Sequence, residues 1–203
     1  MVELLNLPNR RVFLAGAADG GPACFLLVDP VAGGILVNAP PYDPALRDAL
    51  ASVAELRFLF LPSARGAAAA AQWRGAGLQV VASVEEAPLL GVQVDQRVDR
   101  KTRLTRDVDF LPMSGRTPGA CALRVKTRPG IVFFGPILDH RDWPALVAHA
   151  DDYSYENRVI GALAVQDLRF EFAFCDNYEH GRSRFGPGAA AATRANLATE
   201  LRT

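Results

Sequence analysis

The fold is best read from the stretch LFLPSARGAAAAAQW, residues 59–73, in which an apolar run ends in a short loop and alanines follow. A continuous apolar run bounded by a turn is typical of a buried strand, and the alanines predict a helix. The stretch therefore predicts a strand–loop–helix junction, the place where α/β proteins usually bind ligands. The loop offers Ser63 and Arg65 as its polar side chains.

Composition limits the possible classes of protein. The 203 residues are half apolar, which predicts one folded domain over residues 1–203. Lysine plus arginine and aspartate plus glutamate are equal at 22 each, so neither nucleic acid nor a membrane is an expected partner. Cys24, Cys121 and Cys175 show no paired spacing and are interpreted as buried thiols of a cytoplasmic protein. The N-terminus lacks the apolar core of a signal peptide.

Strands and helices are predicted on both sides of the junction from apolar patterns bounded by Gly and Pro. Strands are predicted at 10–16, 23–29, 35–41, 56–61, 78–83, 92–98, 105–113, 120–127, 130–138 and 170–178, with early turns at 18–22 and 30–34. Helices are predicted at 43–53, with Asp43 as N-cap, and at 67–77, 140–150, 155–168 and 189–201. Each half then holds a sheet with outer helices, which predicts an α/β (α+β) fold, a four-layer αββα sandwich.

This order of elements resembles the metallo-β-lactamase superfamily, which includes glyoxalase II-like hydrolases. Four landmarks carry the resemblance along nearly the whole chain. They are the junction FLFLPSARGAAAA, the turn and strand SGRTPGACALRV, the strand end IVFFGPIL and the late loop NYEHGRS. The GRTPG element, residues 115–119, is the most specific of the four.

Most of the family's metal ligands are replaced in this sequence. The family's junction loop reads Thr-His-x-His-x-Asp-His, and its metal-binding positions correspond here to Ser63, Arg65, Ala67 and Ala68, after Pro62 for the threonine. Arg116 replaces a histidine, Pro136 replaces a bridging aspartate, and His180 keeps its histidine. Asn38 corresponds to an aspartate at an early strand end.

The resemblance therefore implies a degenerate member of the family. Zinc needs three or four N, O or S ligands, and a protonated arginine offers no lone pair. The interpretation is a protein that binds no metal or other cofactor and is not a zinc hydrolase.

Arginine at two former metal positions suggests a ligand. Arg65 and Arg116 are expected to converge, with His180, on a small anionic molecule such as a carboxylate or a phosphate. The alternative is that each arginine pairs with a carboxylate of the protein; Asp139, Asp176 and Glu179 are the candidates.

A second hypothesis keeps hydrolysis without the dinuclear site. Ser63 would be the nucleophile and His180 its base, or a single metal would bind to Asp139, His140 and His180. Asp139 is equally well placed as the N-cap of the helix at 140–150. His149, near the far end of that helix, is expected to lie too far from His140 to share a site.

A third hypothesis is a structural or interaction module. Side chains would then fill the cleft, with Arg65 or Tyr178 as the blocking residue. The sequence leaves the oligomeric state open.

Overall fold

The computed structural model of the protein describes residues 1–17 and 21–202. The chain forms two units, Met1–Arg97 and Val98–Thr203. The turn predicted at 18–22 lies for the most part outside the described residues, and the single domain over residues 1–203 stays a prediction.

A seven-stranded sheet is built from the described residues of the first part of the chain, with its strands side by side in sequence order. Neighbours from β1 to β4 are antiparallel, and β4, β5 and β6 are parallel. The strands are β1 (Val2–Leu7), β2 (Arg10–Ala17), β3 (Ala23–Asp29), β4 (Gly33–Val37), β5 (Leu56–Phe60), β6 (Gln79–Ser83) and β7 (Gln96–Val98). The turn predicted at 30–34 is present, because Asp29 Oδ1 accepts hydrogen bonds from the amides of Val31 and Ala32, both at 2.9 Å.

The parallel strands of this sheet are joined by helices. These are α1 (Pro44–Ala51) and α2 (Ala70–Gly75), with short 3-10 turns at Ala64–Gly66 and Ala87–Leu89. The Asp43 cap is confirmed, since its Oδ1 accepts from the amide of Ala45 at 2.9 Å. Trp73 of α2 is fully buried and donates its indole N–H to the carbonyl of Pro40 at 2.7 Å, which fixes the helix against the chain that follows β4.

The second unit contains a four-stranded sheet in the order β13-β10-β9-β8 and a small hairpin. β10 pairs with β13 in parallel and with β9 antiparallel. The sheet strands are β8 (Val108–Pro112), β9 (Cys121–Val125), β10 (Ile131–Gly135) and β13 (Phe172–Cys175), the hairpin is β11 (Asp139–His140) with β12 (Pro144–Ala145), and the helices are α3 (Tyr155–Val165) and α4 (Ala189–Glu200).

The helix predicted at 140–150 is wrong, because these residues form the hairpin and an extended segment. Pro144 has no amide hydrogen and obstructs a helix at this point. The amide of Leu146 donates to Glu200 Oε2 of α4 at 2.7 Å rather than to a helical carbonyl. Asp139 therefore caps no helix.

The three cysteines are buried as predicted, and none forms a disulfide. Burial raises the pKa of the Cys175 thiol well above its usual value. Within the described residues, no helix has the length and apolarity needed to cross a membrane.

Candidate functional site

The junction loop leaves β5 through Pro62 and Ser63 and continues as the turn Ala64–Gly66. Ser63 is fully buried, and within the described residues its Oγ has no hydrogen-bond partner. A serine nucleophile must reach both a base and a substrate. The burial of Ser63 therefore does not favour the predicted nucleophile.

Glu86 anchors this loop from the segment that follows β6. Its side chain is buried, and its Oε1 accepts a hydrogen bond from the amide of Ala64 at 2.7 Å. The amide of Glu86 in turn donates to Ser83 Oγ at 3.1 Å. A buried carboxylate thus supports the loop backbone of the first unit.

Asn38 fills the space behind the loop. It has a positive φ of 61°, a conformation that asparagine tolerates better than most residues. Its Nδ2 donates to the carbonyl of Ala23 at 2.9 Å. A Cβ on Gly66 would lie 2.0 Å from Asn38 Oδ1, so only glycine fits at position 66. The amide of Ala39 donates to the carbonyl of Gly66 at 2.9 Å and completes a closely packed loop.

Arg65 projects from the same loop and is exposed. It lines a cavity of about 290 Å³ together with Ala67 and Ala68. The two alanines correspond to metal ligands in the family pattern but present only methyl groups. Arg65 is therefore the charged side chain of this cavity.

In the second unit, the GRTPG turn holds the buried Arg116 in ion pairs with one exposed and one buried aspartate. Arg116 is 7% exposed, and its Nη1 donates to Asp151 Oδ1 at 2.6 Å and to Asp152 Oδ1 at 3.3 Å. Burial lowers the pKa of Arg116, but the hydrogen bond to Asp151 and the charge of Asp152 outweigh it and raise that pKa above the usual value. Arg116 thus pairs with protein carboxylates, as the structural alternative predicts, but these are not the residues the sequence suggested.

Arg158 of α3 lies at the centre of this charged cluster. Its side chain is fully buried and donates to both oxygens of Asp152, at 3.0 and 2.9 Å, and to Asp139 Oδ2 at 3.1 Å. Its guanidinium also donates to the carbonyls of Ile137 and Val147. The cluster comprises Arg116, Asp139, His149, Asp151, Asp152 and Arg158, and we call it the arginine–aspartate cluster.

His149 belongs to this cluster through a contact with Asp139, which the sequence did not predict, while its predicted distance from His140 stays a prediction. His149 Nε2 lies 2.9 Å from Asp139 Oδ2, and its side chain is 32% exposed. The contact arises because the hairpin that replaces the predicted helix folds His149 back onto Asp139. A partly exposed imidazole backed by a carboxylate is an arrangement that can hold or move a proton.

His140 is nearly buried beside the ring of Tyr178, with ring centroids 5.6 Å apart. Burial lowers its pKa to about 4, so the ring is neutral at physiological pH. Both ring nitrogens are buried, and a backbone contact with Asp142 offsets the effect of burial only in part. Asn177 fixes the backbone of His140, accepting from its amide at 2.7 Å and donating to its carbonyl at 2.9 Å.

His180 lies in the loop after β13 and is exposed. Its neighbour Glu179 pairs with Arg182 at 2.7 Å, so this candidate carboxylate serves a local surface ion pair.

Known proteins match this chain in structure but not in sequence. No protein-family profile and no curated protein matches the sequence. Among solved structures, a subclass B3 metallo-β-lactamase of Bradyrhizobium japonicum matches 100% of this chain and 92% of its own, with 16% identity and a TM-score of 0.67. A metallo-β-lactamase of Cronobacter sakazakii matches 100% and 98%, with 15% identity and a TM-score of 0.68.

The B3 metallo-β-lactamase BLEG-1 gives a TM-score of 0.69 at 12% identity, over 95% of this chain and 97% of its own. The chain has the metallo-β-lactamase fold. The α/β sandwich predicted from the order of elements is thereby confirmed, and the resemblance carried by the four sequence landmarks is a resemblance in structure as well.

The residues present do not fit the metal that the metallo-β-lactamase fold implies. In residues 1–17 and 21–202, no three His, Cys, Asp or Glu side chains are grouped to hold a metal ion, and this includes the predicted set Asp139, His140 and His180. Arg116 presents a protonated, ion-paired guanidinium where the family has an imidazole.

Three members of the arginine–aspartate cluster were missed by sequence reasoning: Asp151, Asp152 and Arg158. Arg158 lies within an amphipathic helix pattern, where an arginine normally indicates a solvated face. The pair of adjacent aspartates just before the helix was the available signal. Gly115 was a second signal, because glycine can mark a close approach of two backbones. In the structure, a Cβ at this position would lie 2.2 Å from Arg158 Cγ.

Proposed function

We propose that this protein acts by binding a ligand rather than by zinc-dependent hydrolysis. The observation that carries the proposal is the environment of Arg116, which takes the place of a family histidine and is held by Asp151 and Asp152. A guanidinium paired with two carboxylates stays protonated and has no lone pair for a metal. Position 116 thus holds an ion-paired arginine where the family has a metal ligand.

The proposed ligand is a small anion bound at Arg65. Arg116 is already compensated by two aspartates, so a structural role suits it better than a place in an anion clamp. Arg65 is exposed in a cavity of about 290 Å³ lined by small side chains. Its planar guanidinium suits a carboxylate or a phosphate. A contribution of His180 to the same ligand, and the convergence of Arg65 with Arg116, stay predictions.

The first test is hydrolysis. Purified, untagged protein is assayed with β-lactam, thioester and phosphodiester substrates, with and without added zinc. We expect background rates, because residues 1–17 and 21–202 contain no ligand set that could lower the pKa of a metal-bound water toward about 7. Zinc-dependent turnover would overturn the proposal.

The second test addresses the anion. Sulfate, phosphate and small carboxylates are titrated at constant ionic strength while the Tm is measured, because a ligand of the native state raises the Tm with concentration. We expect the Arg65→Glu variant to lose this shift and Arg47→Glu, a charge reversal at another exposed arginine of the first unit, to keep it. A shift of equal size in both variants would place the anion elsewhere.

A second candidate function is a metal-free hydrolase, which the contact between His149 and Asp139 favours. Asp139 would orient the imidazole, and His149 would act as general base toward a water molecule. An ester screen would test it. Activity that is lost in His149→Ala and retained in Ser63→Ala would support this function, whereas background activity in the unaltered protein would exclude it for the substrates used.

We further propose a cytoplasmic location, without nucleic acid or membrane as partner. Three buried cysteines without disulfides suit a reducing compartment, and the balanced net charge provides no general attraction to polyanions. Cell fractionation and size-exclusion chromatography would test the location and provide the oligomeric state.

A further inference from the structure

A second, larger cavity of about 780 Å³ lies in the second unit and shares no residue with the cavity at Arg65. Three segments line it: the turn between β9 and β10, the chain leading into β13, and the first part of α4. Its lining residues include Lys126, Arg128, Arg169, Glu171 and Arg194. We call this cavity the basic pocket.

The basic pocket has a net positive charge, although the net charge of the whole sequence is zero. Its described lining carries four cationic side chains and one carboxylate, a net charge of +3, while the whole sequence is balanced. A concave surface lined by one sign of charge attracts ligands of the opposite sign. The volume is in the range of pockets that hold small organic ligands, about 300–1,000 Å³.

These positive charges are poorly compensated within the protein. In the described part of the chain, Arg128 and Arg169 have no carboxylate within ion-pair distance. Arg194 donates to the carbonyls of Gln166 at 2.8 Å and Leu168 at 2.6 Å. Those neutral acceptors hold its guanidinium in place and leave its charge available to a ligand.

Lys126 and Arg124 both contact the carboxylate of Asp109, and the contact with Arg124 is the shorter one. Its Nζ lies 3.4 Å from Asp109 Oδ2, but both oxygens of Asp109 accept from Arg124, at 2.9 and 2.7 Å. One carboxylate thus compensates two cations only in part, so the positive charge of Lys126 still contributes to the potential in the basic pocket.

The walls of the pocket are held together by close backbone contacts. The carbonyl of Gly130 accepts from the amides of Glu171 at 2.8 Å and Phe172 at 3.1 Å. A Cβ on Gly130 would lie 2.8 Å from the carbonyl oxygen of Arg169. The segments that carry Arg128 and Arg169 are therefore fixed side by side before any ligand arrives, which reduces the entropy lost on binding.

The amino end of the twelve-residue helix α4 is already engaged by Glu171. The amide of Gly188 donates to Glu171 Oε2 at 3.3 Å, and the amide of Ala189 donates to the carbonyl of Glu171 at 3.3 Å. The carboxylate of Glu171 thus serves the helix terminus, and the positive charge of the basic pocket comes from its four cationic side chains.

We propose that the basic pocket binds a small molecule bearing a diphosphate group. A single phosphate monoester carries about −1.5 to −2 charges near neutral pH and would leave part of the pocket's charge uncompensated. A diphosphate matches +3 more closely and offers oxygens to several guanidinium groups at once. This site is additional to the anion site proposed at Arg65 and does not depend on it.

The experiment is isothermal titration of the full chain with inorganic pyrophosphate, orthophosphate and sulfate at constant ionic strength. We expect pyrophosphate to bind at least about tenfold more tightly than either single anion, because it engages more arginine groups. The double variant Arg128→Ala/Arg169→Ala should weaken pyrophosphate binding by about tenfold or more. Arg47→Ala, which removes an exposed arginine of the first unit, should leave it unchanged.

Two further titrations are made. One shows whether the diphosphate belongs to a nucleotide, and the other shows which of the two proposed sites binds pyrophosphate. A nucleoside diphosphate that binds more tightly than pyrophosphate would support the proposal and identify a nucleotide as the ligand. Loss of pyrophosphate binding in Arg65→Glu, with the double variant unaffected, would overturn the basic pocket and support the Arg65 site. Equal affinity for all three inorganic anions, or tighter binding of a single-stranded oligonucleotide, would also overturn it. Circular dichroism of each variant confirms that it is folded.

Discussion

At the scale of single residues, Gly115 sets the approach of the GRTPG turn to α3. It has a φ of +147°, and a Cβ there would lie 2.2 Å from Arg158 Cγ and 2.6 Å from the amide nitrogen of Arg158. A helix backbone cannot move aside as a flexible side chain can. We expect Gly115→Ala to lower the free energy of unfolding by about 2–4 kcal/mol, from strain and overpacking together.

The control for this substitution is Gly181→Ala. Gly181 also has a positive φ, +82°, but no atom outside its immediate chain neighbours lies within 4 Å of the position that a Cβ would take. The Gly181→Ala variant should therefore lose only about 1–2 kcal/mol of unfolding free energy, the cost of placing a Cβ in a left-handed backbone conformation. Urea denaturation of both variants measures the difference, and equal losses would contradict a steric role for Gly115.

His140 links stability to pH. Its folded pKa of about 4 lies below the usual 6.5 because the ring is buried. Protons therefore bind the unfolded chain more readily, so stability is fully present above about pH 6.5 and is lost as the pH falls through about 4. We expect a loss on the order of 2 kcal/mol between about pH 8 and pH 5.

The measurement is the free energy of unfolding as a function of pH. His140→Leu should flatten the profile over this range, whereas His180→Ala should leave its slope unchanged, because His180 is exposed. A slope that survives in His140→Leu would assign the pH dependence to other groups.

At the scale of elements, Arg158 ties α3 to the segment between β10 and α3. Its fully buried guanidinium joins Asp139 and Asp152. Removing one partner of a buried ion pair leaves the other charges uncompensated, at a cost of about 3–5 kcal/mol. We therefore expect Arg158→Met to be strongly destabilising in chemical denaturation, although its apolar stem is preserved.

Arg182→Met is the matched control, because Arg182 forms an exposed ion pair with Glu179. Such surface pairs contribute about 0–1 kcal/mol. Similar losses in the two variants would show that Arg158 contributes through packing that any long side chain supplies.

The elements also show where sequence patterns are informative. Asp43 followed by Pro44 predicts the start of α1 correctly, because capping is a local interaction between neighbouring residues. The helix predicted at 140–150 is wrong because the contacts that replace it are remote, from Glu200 to Leu146 and from Arg158 to Asp139. β1 was missed for a similar reason, since its pairing with β2 rather than a strong local pattern defines it.

At the scale of the whole molecule, stability should be independent of metal. By the sequence resemblance, Ser63, Arg65, Arg116 and Pro136 are among the residues at the family's metal-binding positions, so no ion is expected to hold the protein together. Prolonged dialysis against a chelator should leave the Tm unchanged, and added zinc should not raise it. A Tm that falls on dialysis and recovers with zinc would contradict this expectation.

The order of elements and the four landmarks were sufficient to predict this fold, because strand, turn and helix patterns along the entire chain indicate its topology. The site was less predictable. Sequence identifies which residue occupies a position where the family has a ligand, such as Arg116. It does not identify the carboxylates that contact this residue, because Asp151 and Asp152 are brought there by the chain between β10 and α3.

The packing of the junction loop bears on how a metal site could be introduced into this protein. Ser63 lies in a space with no exposed surface, Gly66 has no room for a Cβ, and Glu86 holds the intervening backbone. An imidazole introduced at position 63 would disrupt this packing. Without a second ligand, no metal-binding energy would offset the loss of stability. Introducing metal ligands one substitution at a time therefore passes through variants that are less stable and still lack a metal site. Building such a site into this loop requires exchanging the loop and its supporting residues together.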